Sequence, residues 1–184
     1  MPKGEVRARM VSTAARLLAE NGPPGASVGD VLTSSGAARG STYHHFPGGK
    51  RELYLAALDL ASDRAYAALE GTRGQSSHVI LERFFAMWRT LLTHTDLRMG
   101  CAVLAVAVAG EDPQTIDHAG EIFRSWRAHL ESLLIDAGTD AARARALAAV
   151  AVAAAEGAVA VARAEQSLEI FELVATEVLS FAQP

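Results

Sequence analysis

The chain contains one cysteine, Cys101, among 184 residues. A lone thiol cannot close an intramolecular disulfide, so a packed core must hold the fold, and such a chain suits a reducing cytoplasm. Prolines are also few, at six, and aromatic residues make up only 6 % of the chain. Alanine and leucine dominate instead, with arginine and glutamate frequent, which raises summed helix propensity nearly everywhere. An all-α fold follows, with no convincing strand and no internal repeat. The N-terminal "MPKGEVRARM" carries charge but no apolar segment after it, so no secretory signal is expected. The stretch closest to a membrane span, "ALAAVAVAAAEGAVAVA" at 146–162, holds Glu156 and is flanked by Arg143, Arg145 and Arg163. Alanine is too weakly apolar to drive its insertion, and no membrane partner is expected.

Half of the residues are apolar, enough to bury a substantial core. The net charge of −4 hides an asymmetry: residues 1–54 carry seven Lys/Arg against four Asp/Glu (+3), and 55–184 carry ten against seventeen (−7). The basic end is therefore the one suited to a polyanion.

Helical spacing of Val6, Met10, Ala14, Leu17 and Leu18 predicts a first helix from Gly4 to Asn21, where Asn21-Gly22 and then Pro23, Pro24 and Gly25 stop it. Ser27 with Asp30 three residues later forms a capping-box pattern for a short second helix that ends at Ser34, Ser35 and Gly36. "RGSTYHHF" has room for about two turns of a third helix before Pro47, Gly48 and Gly49 break the chain. A long fourth helix begins at Lys50 and continues to Leu69, carrying Leu53, Ala57, Leu60 and Ala61 on one side. Five further helices are expected, at Val79–Thr93, Leu97–Ala109, from Pro113 through Leu133, Ala141–Glu165 and Leu168–Ala182, about nine in all.

Two short helices joined by a glycine-containing turn, with a basic residue and small side chains leading the second, form a helix-turn-helix pattern. The second helix needs small residues at its start so that its backbone can approach base edges, and Gly40 and Ser41 allow that approach. Arg39 supplies a planar fork for guanine or phosphate. Tyr43 and His44 project one turn later toward phosphate oxygens, while Phe46 turns inward as core. Lys50 opens the fourth helix, whose amides and ammonium together suit a phosphate.

Other chemistry fits these residues poorly. His44 and His45 are neighbours on a helix, about 100° apart, and cannot share a metal as an i, i+4 pair could. Gly48-Gly49-Lys50 lacks the spacing of a nucleotide-binding loop. Cys101 has no histidine and acid arranged around it. Neither cofactor, metal nor enzymatic activity is expected.

Residues 5–54 resemble the DNA-binding domain of the tetracycline-repressor (TetR) family. The carrying motifs are "AARLLAENG", "SVGDVLTSSGAARGSTYHHF" and "KREL", with Gly40, Tyr43, His45 and Phe46 at the family's spacing. The resemblance implies a homodimeric repressor of a palindromic operator, with a DNA-binding domain at 1–54 and a helical effector-binding and dimerisation domain at 55–184. It places DNA contacts at Ser27, Arg39, Gly40, Ser41, Thr42, Tyr43, His44 and Lys50. Two features depart from the family pattern. Ala38 stands where many members have Ser or Thr capping the recognition helix, and Pro47-Gly48-Gly49 puts three residues rather than two before the lysine. The "HHFPGGK" form, with Gly100-Cys101 downstream, resembles a subgroup that includes repressors of antibiotic-resistance and multidrug-efflux genes.

Relatives of this kind bind apolar or aromatic effectors between helices. That implies a lining of Met87, Trp88, Leu91, Cys101, Leu104, Phe123 and Trp126, with His129 close to the Trp126 face. The effector signal is expected to pass through the fourth helix. Leu168, Phe171, Val174, Val178 and Phe181 of the last helix are expected to lie partly in a four-helix interface with a symmetry mate. A constitutive DNA-binding dimer without an effector is the alternative, recognisable by an effector cavity filled with Trp88, Phe123 and Trp126.

Overall fold

A computed structural model describes residues 3–182, and within them nine α-helices account for nearly all regular structure. They are α1 (Lys3–Asn21), α2 (Val28–Ser35), α3 (Ser41–His45), α4 (Gly49–Leu69), α5 (Ser77–His94), α6 (Ala102–Ala109), α7 (Pro113–Asp136), α8 (Ala141–Glu165) and α9 (Glu169–Ser180). The helices pack as two units. One comprises the residues up to Asp63 with Cys101–Ile122, the other Arg64–Gly100 with the residues from Phe123 onward. Packing therefore groups α6 and the start of α7 with the N-terminal helices, across the 54/55 division drawn from sequence.

In the first unit α1 packs on α2, on α6 and on a 3-10 turn at Pro23–Gly25. Its Met10, Ala14 and Leu18, spaced by four, are fully buried. They join Val31, Phe46, Leu53, Ala57 and Leu58 in the core. The Arg7 guanidinium lies 5.1 Å from the Phe46 ring centre, covering one face of the ring. Truncating a buried phenylalanine of this kind typically costs about 3–5 kcal/mol.

In the second unit α5, α8 and α9 pack on one another. Phe85 and Phe171 meet edge-on at 6.0 Å. Arg89 of α5 donates twice to the Glu172 carboxylate of α9, at 2.6 and 2.7 Å. The bounds of α8 follow from its ends: the Asp140 side chain accepts from the Ala142 and Arg143 amides, and Gln166 closes the helix in the left-handed conformation. α8 is long and apolar enough to cross a membrane by length and composition, yet half of its apolar window is buried within the fold, as in a core helix.

The sixth helix starts five residues later than its sequence suggests. Asp96 and Leu97 adopt φ of 51° and 57°, and the Leu97 amide bonds back to the Leu92 carbonyl at 2.8 Å. The chain then runs non-helically to Cys101, whose sulfur accepts the Leu104 amide at 3.3 Å and caps α6. Arg163 of α8 holds the preceding segment by donating to the Arg98 carbonyl at 2.9 Å. It lies so close to Gly100 that a Cβ there would stand 2.7 Å from its Nη1. The Gly-Cys pair thus marks a close approach and a cap.

The last helix also differs from expectation. Phe171 and Val178 are buried within the chain, at 0 % and 4 % exposure, because α9 turns that face to α5 and α8. They are not available to a symmetry mate. The large apolar side chains that remain exposed here are Val150 and Val161 on α8, Leu173 on α9 and Phe181 at the C-cap of α9.

Candidate nucleic-acid interface

The reading head is built by local chemistry. At the start of α2 the Ser27 hydroxyl accepts the Asp30 amide at 3.1 Å, and the Asp30 carboxylate accepts the Ser27 amide at 3.0 Å. This reciprocal capping box satisfies two otherwise unpaired donors. Gly36 ends α2 at φ 64°, a left-handed position that glycine adopts without strain. The chain then reaches α3, whose N-cap is Gly40 and not Ala38. Ala38 instead closes the preceding turn, its carbonyl accepting the Ser41 amide at 2.8 Å. α3 therefore starts without a side-chain cap.

Arg39, Gly40, Tyr43, His44, Ser27 and Lys50 are exposed, and Ser41 is half-buried. Tyr43 stands out at 86 % exposure. Thr42 does not join them. It is 7 % exposed, on the inward side of a helix whose alternate face carries Tyr43 and His44, and it acts as packing. The His44 and His45 rings meet edge-on at 4.8 Å. No group of three or more His, Cys, Asp or Glu able to hold a metal occurs among the described residues.

Gly40 has φ −70°, and a Cβ built on it meets nothing within 4 Å. Nothing inside the fold therefore requires glycine at this position. Gly49 is different, with φ 69° at the first residue of α4. Its amide bonds to the Phe46 carbonyl at 2.8 Å, and Glu52 reaches back to the Gly48 amide at 2.9 Å. The Pro-Gly-Gly insertion is thus a capped turn.

Lys50 holds its ammonium 5.1 Å from the Tyr54 ring centre. Tyr54 is buried, and its hydroxyl reaches the carbonyls of Pro23 and Ala26. Burial, with Glu111 and Asp30 nearby, pushes its pKa up to about 12. Next to Lys50, Arg51 forms a fork with Asp112, both hydrogen bonds being 2.9 Å. Hydrogen bonding to Arg51 holds the Asp112 carboxyl below the ordinary carboxylate range. Ser27, Gly48, Lys50, Arg51, Glu111 and Asp112 share the walls of one open cleft of about 530 Å³.

The second unit contains a narrow aromatic cleft. Its lining includes Tyr66, Phe84, Met87, Trp88, Trp126 and His129. Free volume is about 10 Å³, roughly what one water needs. Of the residues expected around an effector, Met87, Trp88 and Trp126 come together here. Phe123 stacks edge-on behind Trp126 at 5.5 Å. Leu91 is absent from the lining, and Cys101 and Leu104 belong to the other packing unit. Tyr66, Phe84 and His129 line the cleft with them, as do Ala65, Leu69 and Leu130; the sequence signal for His129 is its i, i+3 spacing from Trp126. The Tyr66 and His129 rings meet at 4.9 Å, and the Tyr66 hydroxyl is hydrogen-bonded to Ser125. Burial, then Arg73, lowers the His129 pKa and favours the neutral imidazole. Trp88 Nε1 is buried without a protein acceptor.

The chain matches known proteins along most of its length. Residues 11–57 match the family model described as bacterial regulatory proteins, tetR family. Residues 79–177 match the C-terminal domain described as LmrA/YxaF-like transcriptional regulator. An uncharacterized HTH-type transcriptional regulator of Mycobacterium tuberculosis is 35 % identical over 175 residues, covering 91 % of this chain and 89 % of the relative. The HTH-type regulator YxaF of Bacillus subtilis is 25 % identical over 142 residues, 74 % of this chain and 73 % of its own. A TetR transcriptional regulator from Chloroflexus aurantiacus superposes with a TM-score of 0.79 at 26 % identity, covering 97 % of this chain and 94 % of that one. A TetR-family regulator from Agrobacterium tumefaciens gives 0.85 at 20 % identity, covering 99 % and 100 %, and shares the fold. These are regulators and not enzymes, and the chain belongs to the TetR family of helix-turn-helix transcriptional regulators, with an LmrA/YxaF-like C-terminal domain.

Proposed function

We propose that the chain is a cytoplasmic, ligand-responsive repressor that binds a palindromic operator as a homodimer and is released by a small apolar or aromatic effector. Residues 1–54 read DNA and 55–184 bind the effector and dimerise. Gly40 carries this reading: an exposed glycine that the fold itself does not need, between Arg39 and Ser41, leaves room for an outside surface to approach the backbone. Arg39 and Ser41 meet base edges, while Ser27, Tyr43, His44 and Lys50 hold phosphates. Thr42 supports the helix from within.

Two recognition helices must be held about one DNA turn or more apart, which requires a dimer. The exposed stripe Ala146, Val150, Ala153, Gly157, Ala160 and Ala164 on α8, with Leu173 on α9 and Phe181 at its C-cap, is the surface for the second copy. Its small residues let helices approach closely.

The aromatic lining with no carboxylate favours an uncharged aromatic effector. Such a molecule must displace side chains to enter, and binding of that kind shifts the population between conformers. The small free volume also supports the second reading, a constitutive DNA-binding dimer without an effector. Footprinting of the DNA flanking the gene separates DNA-binding function from none. Two protected half-sites are expected, and an unprotected flank together with no duplex recovered from a random pool would overturn the reading. Release of that footprint by uncharged aromatic compounds distinguishes the responsive repressor from the constitutive one.

A further inference from the structure

The cleft shared by Ser27, Gly48, Lys50, Arg51, Glu111 and Asp112 puts two carboxylates from the α6–α7 connection beside two cations at the start of α4. Carboxylates at the edge of a surface that grips phosphate oppose binding of a polyanion. One of them is engaged in a specific way. Asp112 takes both forks of Arg51 in the planar, two-bond geometry that a guanidinium offers equally to a phosphate. The pair is open to solvent, with 51 % of the Arg51 and 30 % of the Asp112 side chain exposed. Exchange of partner therefore needs no unpacking of the core. Asp112 also starts α7: its carbonyl accepts the Thr115 and Ile116 amides at 3.1 and 3.2 Å, so its backbone is fixed while its side chain holds Arg51.

We infer that Asp112 is a built-in phosphate mimic that occupies Arg51 in the DNA-free protein, and that Arg51 is a further phosphate-binding residue which must exchange Asp112 for the DNA backbone. The inference rests on the proposed grip by Ser27 and Lys50, which borders the same cleft. The held arginine lowers affinity for DNA of any sequence, because phosphate contacts do not read bases. It thereby leaves a larger share of binding to the base-reading residues Arg39 and Ser41.

The test is the salt dependence of binding by the full chain to two duplexes, one enriched from a random pool by the wild-type protein and one of unrelated sequence. Each phosphate contact contributes about 0.9 to the slope of log K against log salt. Asp112→Asn removes the charge, while asparagine still serves at a helix start. It is expected to bind both duplexes about three- to tenfold more tightly at low salt, with a slope steeper by about 0.9 per protomer. Adding Arg51→Met to Asp112→Asn is expected to abolish both gains. Binding by Asp112→Asn that is unchanged or weaker, with an unaltered slope, would overturn the inference and make the pair a structural tie. Lys50→Met separates the phosphate grip from the phosphate mimic. If it lowers the slope by about 0.9 while Asp112→Asn has no effect, the grip stands and the mimic falls. If neither changes the slope, both fall.

Discussion

The Tyr54 hydroxyl lies 3.1 Å from the carbonyl oxygen of Pro23, a residue 31 positions earlier in the chain. The same hydroxyl reaches the Ala26 carbonyl at 3.0 Å. It ties the first turns of α4 to the 3-10 turn that leads into α2, and so sets the two helix starts that carry Lys50 and Ser27. The bond depends on the neutral phenol, since only the protonated oxygen can donate.

Tyr54→Phe leaves two carbonyls without this donor and is expected to cost about 1–3 kcal/mol. It also changes the response to alkali. The folded pKa is raised to about 12 from an ordinary 10, so the stabilisation is fully present below pH 10 and is lost as pH rises toward 12. Urea unfolding across that range should show wild-type stability falling more steeply than that of Tyr54→Phe. Parallel curves would contradict the role given to the hydroxyl.

Gly157 sits on the exposed stripe of α8, and a Cβ there meets nothing within 4 Å of its own chain. In an isolated helix the change to alanine stabilises by about 0.5–1 kcal/mol. At a close helix crossing it intrudes on the partner. Gly157→Ala is therefore expected to raise stability under dilute, monomeric conditions and weaken dimerisation about tenfold, a penalty of roughly 1.4 kcal/mol, as followed by sedimentation. An unchanged or tighter dimer would move the interface elsewhere.

Trp88 buries its indole N–H without an acceptor. Trp88→Phe removes that donor and keeps an aromatic ring, so its stability is expected within about 1 kcal/mol of wild type, or above it. Trp126→Ala, which opens a cavity and removes the edge-on contact with Phe123, is expected to cost about 3–5 kcal/mol. Both are read by denaturant unfolding. A loss above about 2 kcal/mol for Trp88→Phe would show that the N–H is satisfied in the folded protein.

Features written in neighbouring residues were legible from the sequence. The Ser27–Asp30 capping box, the long run of α8 and the inward Phe46 each follow from spacing within a few positions. Features set by distant partners were not. The late start of α6 depends on Arg163, sixty-five residues from the Arg98 carbonyl it holds. Tyr66 joins the aromatic cleft through His129, which no local period connects to it. Thr42 stands in sequence among the reading residues, but a helix of five residues must turn one side inward, and Thr42 is on that side. The Arg51–Asp112 fork spans 61 positions, and nothing around either residue signals the other.

The exposed residues around α3 are the surface proposed to bind DNA. The most direct test is the affinity of Arg39→Ala and Tyr43→Phe for the enriched duplex, with melting and circular dichroism as controls for folding. Arg39→Ala is expected to lose about 1–3 kcal/mol and to relax preference at one base position. Tyr43→Phe is expected to weaken binding by a smaller amount across all sequences. Wild-type affinity in both variants, with the fold intact, would contradict the assignment of this surface.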